Sequence, residues 1–125
     1  MTPDEITAPW WEATRRRVLT VQRCLECGRL QHYPRALCTG CGGDALDLVE
    51  VSGRGTVDSF TVVHRSPAGE STPYTVARVR LEEGPILLTR LTGDGPWACD
   101  QPVRLSWTPL PDGLNLPVFT PLEHP

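Results

Sequence analysis

The chain has 125 residues with 12 basic and 15 acidic side chains, so its formal charge at pH 7 is −3, and this length suits one domain or two small ones. Every basic residue is arginine and the arginines are spread over both halves, which disfavours a protein that binds a phosphate backbone through one basic face. No apolar run approaches the length that crosses a bilayer, which excludes a helical membrane span.

The first predicted element is a short helix at residues 8–17 (APWWEATRRR). Pro9 suits the first helical turn, and Glu12 near the start and three arginines near the end complement the helix dipole. Trp10 and Trp11 are adjacent, so they cannot both face the same core. We therefore expect one of them to pack inward and the other to meet a partner protein. The alternative that both lie against this chain stays open.

Two Cys-x-x-Cys pairs follow, Cys24 with Cys27 and Cys38 with Cys41, and a glycine comes directly after each pair. This spacing is typical of a tetrahedral site in which four thiolates hold one metal ion. A strand at residues 18–24 is predicted to lead into the first pair, a strand at 29–33 to return from it, and a strand at 45–51 to leave the ribbon. We predict a zinc ribbon whose metal is structural, with iron as the less favoured ion.

Disulfides and redox-active pairs are the alternative roles of these four cysteines. Two disulfides would need an oxidising compartment, and the first five residues show neither the basic start nor the apolar stretch of a signal peptide. We therefore expect a cytoplasmic protein with reduced thiols, while redox-active pairs remain an alternative. Cys99 stands alone in the sequence and is expected to be a small buried hydrophobe.

The character of the sequence changes after the turn at 52–55, where short β-branched strands begin. In the first strand, Phe60 and Val62 are predicted to share one face, with Val57 on the other. Pro117 marks an edge or the end of the last strand. Five strands are predicted, at residues 56–64, 74–81, 86–91, 103–107 and 114–119.

Five evenly spaced strands indicate a small closed sheet, and an OB-fold barrel is the favoured form. An SH3-like barrel or a small sandwich fits the same pattern. The fold class is therefore mainly β, with an N-terminal helix and a rubredoxin-like zinc ribbon before a five-stranded OB-fold barrel. We predict two domains, residues 1–50 and residues 51–125, the second ending in an extended tail.

No residue of this chain is assigned a catalytic role. Acyl transfer and hydrolysis need a nucleophile beside a base, and Ser59 and His64 lie an odd number of positions apart on one strand, which sends them to opposite faces. The chain has no Gly-x-Ser-x-Gly elbow. Four thiolates also fill the metal's coordination shell and leave no position for water or substrate.

Several stretches together resemble a known family of zinc-ribbon plus OB-fold proteins, catalogued as a domain of unknown function and described as acyl-CoA-associated. The resemblance runs in order through nearly the whole chain, including the aromatic helix. The stretches are residues 24–35 (CLECGRLQHYPR), 38–41 (CTGC), 52–65 (SGRGTVDSFTVVHR), 73–77 (PYTVA), 84–91 (GPILLTRL) and 116–119 (LPVF).

The resemblance implies a companion subunit of a thiolase-fold enzyme that acts on coenzyme A thioesters. The large partner would hold the catalytic residues, and the two chains would form a hetero-oligomer. The favoured partner is a lipid-transfer-protein-like aldolase that cleaves a β-hydroxyacyl-CoA, including one with a steroid side chain. A β-ketothiolase or an acyltransferase is the alternative partner.

The same resemblance suggests which residues meet ligand and partner. Arginine pairs with phosphate bidentately, and a solvated face explains the same arginines equally well. The candidates for coenzyme A phosphates are Arg54, Arg65, Arg78 and Arg80. The candidates for the partner interface are Trp10, Trp11, His64 and Phe119.

The alternative function of another class is binding of single-stranded nucleic acid, because zinc ribbons and OB-folds also occur in proteins that bind it. In such proteins, aromatic side chains stack on bases over a basic groove. The negative charge and the even spread of arginine argue against it. The aromatic residues that would stack are Phe60, Tyr74, Trp97 and Trp107.

Overall fold

The computed structural model describes residues 4–64, 73–93 and 95–122, so the candidate Arg65 lies outside the described residues. One short helix precedes a ribbon of three strands and a barrel of five strands. The elements are α1 (Ala8–Thr14), β1 (Thr20–Cys24), β2 (Leu30–Gln31), β3 (Leu46–Glu50), β4 (Arg54–Val63), β5 (Tyr74–Leu81), β6 (Ile86–Leu91), β7 (Pro102–Pro109) and β8 (Asn115–Pro121).

The ribbon is an antiparallel sheet in the order β2-β1-β3. The helix that leads into it is shorter than predicted and ends at Thr14. Turns replace its last predicted residues, and Arg17 takes the left-handed value φ 56°, a conformation in which a helix does not continue. Within the described residues, no helix is long and apolar enough to cross a bilayer.

The barrel closes in the strand order β4-β5-β6-β8-β7, which confirms the prediction of a five-stranded OB-type barrel. Neighbouring strands are antiparallel except β6 and β8, which are parallel and pair at Leu91 and Phe119. The strands β5 and β6 have the predicted bounds. The ribbon sheet ends at Glu50 and the barrel begins at Arg54, while the domain boundary between residues 50 and 51 stays a prediction.

One predicted face on β4 is wrong. The pairing of β4 with β5 shifts between Val57 and Ser59, which marks a β-bulge. A bulge adds one residue to one strand and so reverses the alternation beyond it. Val57 pairs with the buried Val79 and Phe60 pairs with the buried Ala77. Val57 and Phe60 therefore both face the barrel interior, although they are an odd number of sequence positions apart.

The expectation that one of the two tryptophans faces outward is also wrong. Trp10 is 3% exposed and Trp11 is 5% exposed. They can both be buried because the helix packs against the ribbon and the barrel in one shared core. The Trp10 indole N–H donates to the Thr20 carbonyl and the Trp11 indole N–H donates to the Tyr33 hydroxyl, both in the ribbon. Their rings meet edge to face at 4.8 Å, a favourable aromatic geometry.

Two further placements differ from expectation. Phe119 is 0% exposed and lies in the core of the barrel, so it offers no surface to a partner and its assignment to the interface is corrected. Cys99 is exposed rather than buried. It lies in a turn between β6 and β7.

Candidate functional site

The predicted cysteine ligands come together at the tip of the ribbon. The Sγ atoms of Cys24 and Cys41 are 3.6 Å apart, those of Cys27 and Cys38 are 3.5 Å apart, and all four lie within 4.8 Å of one another. A disulfide holds its sulfurs about 2.05 Å apart, so neither pair is bonded. A tetrahedral ion about 2.3 Å from each sulfur separates the sulfurs by about 3.8 Å. The donor set therefore fits a structural metal ion.

Two similar turns aim the sulfurs at one point. Gly28 and Gly42 follow the two pairs with φ of 79° and 76°, values that glycine adopts without strain. Each donates its N–H to the carbonyl of the first cysteine of its pair, at 2.9 and 3.0 Å. A sequence of Cys-x-x-Cys-Gly therefore closes a compact turn with both thiols on its inner side.

Backbone N–H groups favour the charged form of one of the four ligands, Cys38. The N–H groups of Cys41 and Gly40 point at the Cys38 sulfur and lower the pKa of that thiol to about 6. The thiolate is the form that binds metal. At neutral pH Cys38 therefore already favours its charged form. Four thiolates around a tetrahedral ion leave no open position for substrate.

A buried pair of glutamines supports the second turn, and the sequence reasoning missed it. The Gln31 amide donates to the Gln22 side-chain oxygen at 2.6 Å, and Gln22 bonds both backbone groups of Arg35 at 2.9 Å. The Gln31 oxygen accepts from the N–H and the hydroxyl of Thr39, next to Cys38. Two isolated glutamines carry no local motif, but they pair across β1 and β2.

A cleft runs between the ribbon and the barrel, and its first half is largely apolar. This half has a volume of about 770 Å³, and its walls include Trp10, Trp11 and Tyr33 on one side and residues 86–90 of β6 on the other. His32 also faces it, and burial lowers the pKa of this histidine to about 4. We call this half the apolar groove.

The second half of the cleft is basic and has a volume of about 930 Å³. It contains four arginines, two from the ribbon and two from β5, together with Glu83. We call this group, Arg29, Arg35, Arg78 and Arg80, the arginine cluster. Arg78 and Arg80 share a face as predicted and lie 3.8 and 3.4 Å from the Asp58 carboxylate, exposed ion pairs that hold the side chains only weakly.

The other candidate residues are dispersed. Arg54 lines a separate small cleft of about 350 Å³ that Arg80 also borders. His64 is exposed at the end of β4. The sequence did not indicate Arg29 and Arg35 as candidates, because the ribbon lies beside β5 only in the tertiary structure. The assignment of arginines to coenzyme A phosphates, and of His64 to a partner interface, stays a prediction.

The aromatic residues proposed to stack on bases are used within the protein. Phe60, Trp97 and Trp107 are partly buried and pack against the hydrophobic core. The guanidinium of Arg90 covers the Tyr74 ring at 4.2 Å from its centre. These contacts argue against a stacking platform for single-stranded nucleic acid.

Comparisons with known proteins agree with the ribbon and the barrel. Residues 11–47 match a family described as "ChsH2, rubredoxin-like zinc ribbon domain", and residues 48–108 match one described as "ChsH2, C-terminal OB-fold domain". In the solved structure titled "Ltp2-ChsH2(DUF35) aldolase", a chain with 40% sequence identity superposes with a TM-score of 0.89, over 97% of this chain and 98% of that one.

Two curated relatives are similar over most of this chain. A probable enoyl-CoA hydratase alpha subunit of Thermomonospora curvata is 42% identical over 90% of this chain, which spans 36% of that relative. The benzoylsuccinyl-CoA thiolase subunit BbsA of Geobacter metallireducens is 33% identical over 78% of this chain, and the match spans 68% of the relative. The chain belongs to the ChsH2-type family, in which a rubredoxin-like zinc ribbon precedes an OB-fold domain.

Proposed function

We propose that this chain is the accessory subunit of a thiolase-fold enzyme that acts on acyl-CoA, and that its partner is a lipid-transfer-protein-like aldolase. The observation that carries the proposal is the likeness, over nearly the full length of both chains, to the chain from the Ltp2-ChsH2(DUF35) aldolase. The partner supplies the catalytic residues and cleaves a carbon–carbon bond of a β-hydroxyacyl-CoA. This chain supplies a rigid docking module.

The metal centre supports this division of labour. We take the ion to be zinc, which four thiolates bind in a closed tetrahedral shell, and its role to be folding of the ribbon rather than chemistry. The ribbon sheet is too small to be stable by apolar burial alone. Thiols that must stay reduced to bind metal support a cytoplasmic location for the complex.

The arginine cluster supports a contact with the substrate's phosphates. Arg78 and Arg80 lie together with Arg29 and Arg35 in one cleft, and a guanidinium binds phosphate oxygens through paired hydrogen bonds. Arg54, in the separate small cleft, and Arg65 remain candidates in the proposal. The acyl group itself, including a steroid side chain, is held by the partner.

Reconstitution tests the proposal. A lipid-transfer-protein-like thiolase-fold subunit from the same genome is purified with and without this chain, and each preparation is assayed against β-hydroxyacyl-CoA substrates for aldehyde or ketone release. We expect a stable complex and cleavage that requires this chain. Full activity of the large subunit alone would refute the accessory role, and turnover by this chain alone would refute the assignment of catalysis to the partner.

A β-ketothiolase or acyltransferase partner is the alternative, and the similarity to a chain named as a thiolase subunit favours the thiolase form. The same complex distinguishes the two reactions. Thiolysis consumes free coenzyme A and yields two thioesters, whereas aldol cleavage consumes none and yields one thioester and one carbonyl compound. Consumption of coenzyme A in step with product would select the thiolase.

A further inference from the structure

Strand β6 has an unpaired edge. It pairs with β5 along its length, but within the described residues it pairs with β8 only at Leu91. The Leu81 N–H donates to the Pro85 carbonyl at 2.9 Å, and hydrogen-bonded and non-hydrogen-bonded pairs alternate along an antiparallel ladder. Ile86 and Leu88 therefore occupy non-hydrogen-bonded positions, and their backbone N–H and C=O groups point away from β5.

The sequence of β8 explains why its pairing with β6 does not extend towards Ile86. The Pro117 carbonyl accepts a hydrogen bond from the Thr89 hydroxyl at 2.9 Å, so this backbone position faces β6. Proline has no N–H to donate to a neighbouring strand. Regular pairing between β6 and β8 therefore stops beyond Leu91 and Phe119, where Thr92 N–H still reaches the Phe119 carbonyl at 2.8 Å.

The open edge lies in the apolar groove. Five consecutive residues of β6, 86–90, border that cavity, although successive side chains of a strand point to opposite faces. Only a cavity beside the backbone edge meets residues of both faces. The opposite wall carries Trp10, Trp11 and Tyr33, and Leu88 at the rim is 74% exposed.

One end of this edge is strongly basic. Ile86 and Leu88 also border the basic half of the cleft, so the arginine cluster adjoins the first residues of β6. The four positive charges of the arginine cluster exceed the two negative charges of Glu83 and the neighbouring Asp58, although the chain as a whole has a formal charge of −3. A segment that enters the groove therefore meets an open strand edge, an aromatic wall and, at one end, net positive charge.

We propose that an extended segment of the partner subunit adds to β6 as a short strand. Its backbone pairs with Ile86 and Leu88, an apolar side chain packs against the partly buried Tyr33, and an acidic side chain meets the arginine cluster. Backbone pairing supplies affinity in such strand addition and the side-chain pockets supply specificity. This inference rests on the proposed function and names the surface through which that function operates.

Amide hydrogen exchange of the complex with the thiolase-fold subunit tests the added strand. The amides of Ile86 and Leu88 are expected to exchange at least about tenfold more slowly in the complex. The amides of Leu87 and Thr89 already pair with β5, so they serve as internal controls and change little. A complex that forms while β6 exchange is unchanged overturns the inference and leaves the accessory function standing.

A proline substitution tests the backbone contact separately from the side chain. Leu88→Pro removes an N–H that the barrel ladder does not use, whereas Leu88→Ala keeps it and removes only the exposed side chain. We expect Leu88→Pro to weaken partner binding at least about tenfold more than Leu88→Ala does. Metal content and far-UV circular dichroism check the fold, and equal affinities of two folded variants would contradict strand addition.

Charge reversal tests the acidic end of the segment. Arg80→Glu is expected to weaken the complex and to reduce the salt dependence of its association. Arg104→Glu, on β7 and outside the cleft, is the matched control. Equal effects of the two substitutions would remove the acidic end from the proposal.

The other possible occupants give different results. Protection of the Ile86 and Leu88 amides that grows with the concentration of the isolated chain would identify a second copy as the occupant and overturn the inference. Failure of the intact, metal-loaded chain to form any complex would overturn the inference together with the proposed function.

Discussion

At the scale of single residues, His32 shows how the cleft changes an ionisable group. It packs against both Trp10 and Tyr33, with ring centres at 5.6 and 5.2 Å, and burial lowers its pKa to about 4. Its Nδ1 is buried without a hydrogen-bond partner among the described residues. In the unfolded chain the same imidazole takes up a proton near pH 6.5. Below about pH 6.5 the unfolded chain therefore gains a proton on His32 that the folded chain does not. The free energy of unfolding is unaffected by His32 above about pH 6.5 and decreases as the pH falls towards 4.

The pH dependence of unfolding measures this contribution. Between pH 7 and pH 5, the free energy of unfolding of the wild type is expected to fall by about 1–2 kcal/mol more than that of His32→Gln. Protonation of the metal-binding thiolates affects both proteins alike, so the difference isolates the histidine. Urea titrations at each pH provide the measurement, and parallel curves for the two proteins would contradict a buried neutral imidazole.

The metal ligands permit a matched pair of substitutions. Cys38→Ser removes a buried ligand, and we expect it to abolish stoichiometric metal binding, unfold the ribbon and prevent partner binding. Cys99→Ser changes an exposed thiol outside the cluster and should alter stability by no more than about 0.5 kcal/mol. Elemental analysis and circular dichroism distinguish them; a folded, partner-binding Cys38→Ser chain without metal would contradict a structural role.

At the scale of elements, the ribbon depends on polar pairing as well as on metal. Gln22 and Gln31 join β1 and β2 to the loop that carries Cys38. Both are nearly buried, at 7% and 6% exposure, so removal of one leaves the other's polar atoms without partners. Such a loss costs about 1–3 kcal/mol per buried group.

Replacement of one glutamine tests this support. Gln31→Leu keeps the side chain's size, and we expect it to lower the free energy of unfolding by about 2–3 kcal/mol and to speed metal release to a chelator. Arg23→Ala, which removes an exposed ion pair between β1 and Asp47 on β3, should cost less than about 1 kcal/mol. Unchanged metal release in Gln31→Leu would show that the loop holds its shape without the amide network.

At the scale of the whole molecule, the short helix joins the two modules. Its tryptophans pack in one continuous core with residues of the ribbon and of the barrel, among them Val21 and Val57. Its last residue, Thr14, receives hydrogen bonds from the backbone and the side-chain amide of Asn115 in β8, at 3.2 and 2.8 Å. The core therefore crosses the proposed boundary between residues 50 and 51.

A shared core predicts one cooperative transition. Metal release, followed with a colorimetric chelator, and loss of β-structure, followed by circular dichroism, should coincide in a urea titration within error. Domains with independent cores would give two midpoints. Metal release well below the urea concentration that unfolds the barrel would show that the modules fold separately.

Local sequence signals predicted the parts of the fold that depend on few residues. The cysteine spacing predicted the ribbon, and alternation with bounding turns predicted β5 and β6. The wrong predictions concern features that depend on residues distant in sequence. The bulge on β4 puts Val57 and Phe60 on the same face, and the packing of the helix against two modules buries both tryptophans. The arginine cluster was only half predicted, because Arg78 and Arg80 share one strand whereas Arg29 and Arg35 reach them through the tertiary fold.

The exposed position of Cys99 has a practical consequence. The chain has five cysteines, and four of them belong to the ligand group. A maleimide reagent should therefore modify a single position while the ion is held, and all the thiols after chelation. This difference in labelling stoichiometry gives a count of intact ribbons in any preparation, and a dye placed at Cys99 marks the protein without touching the cleft.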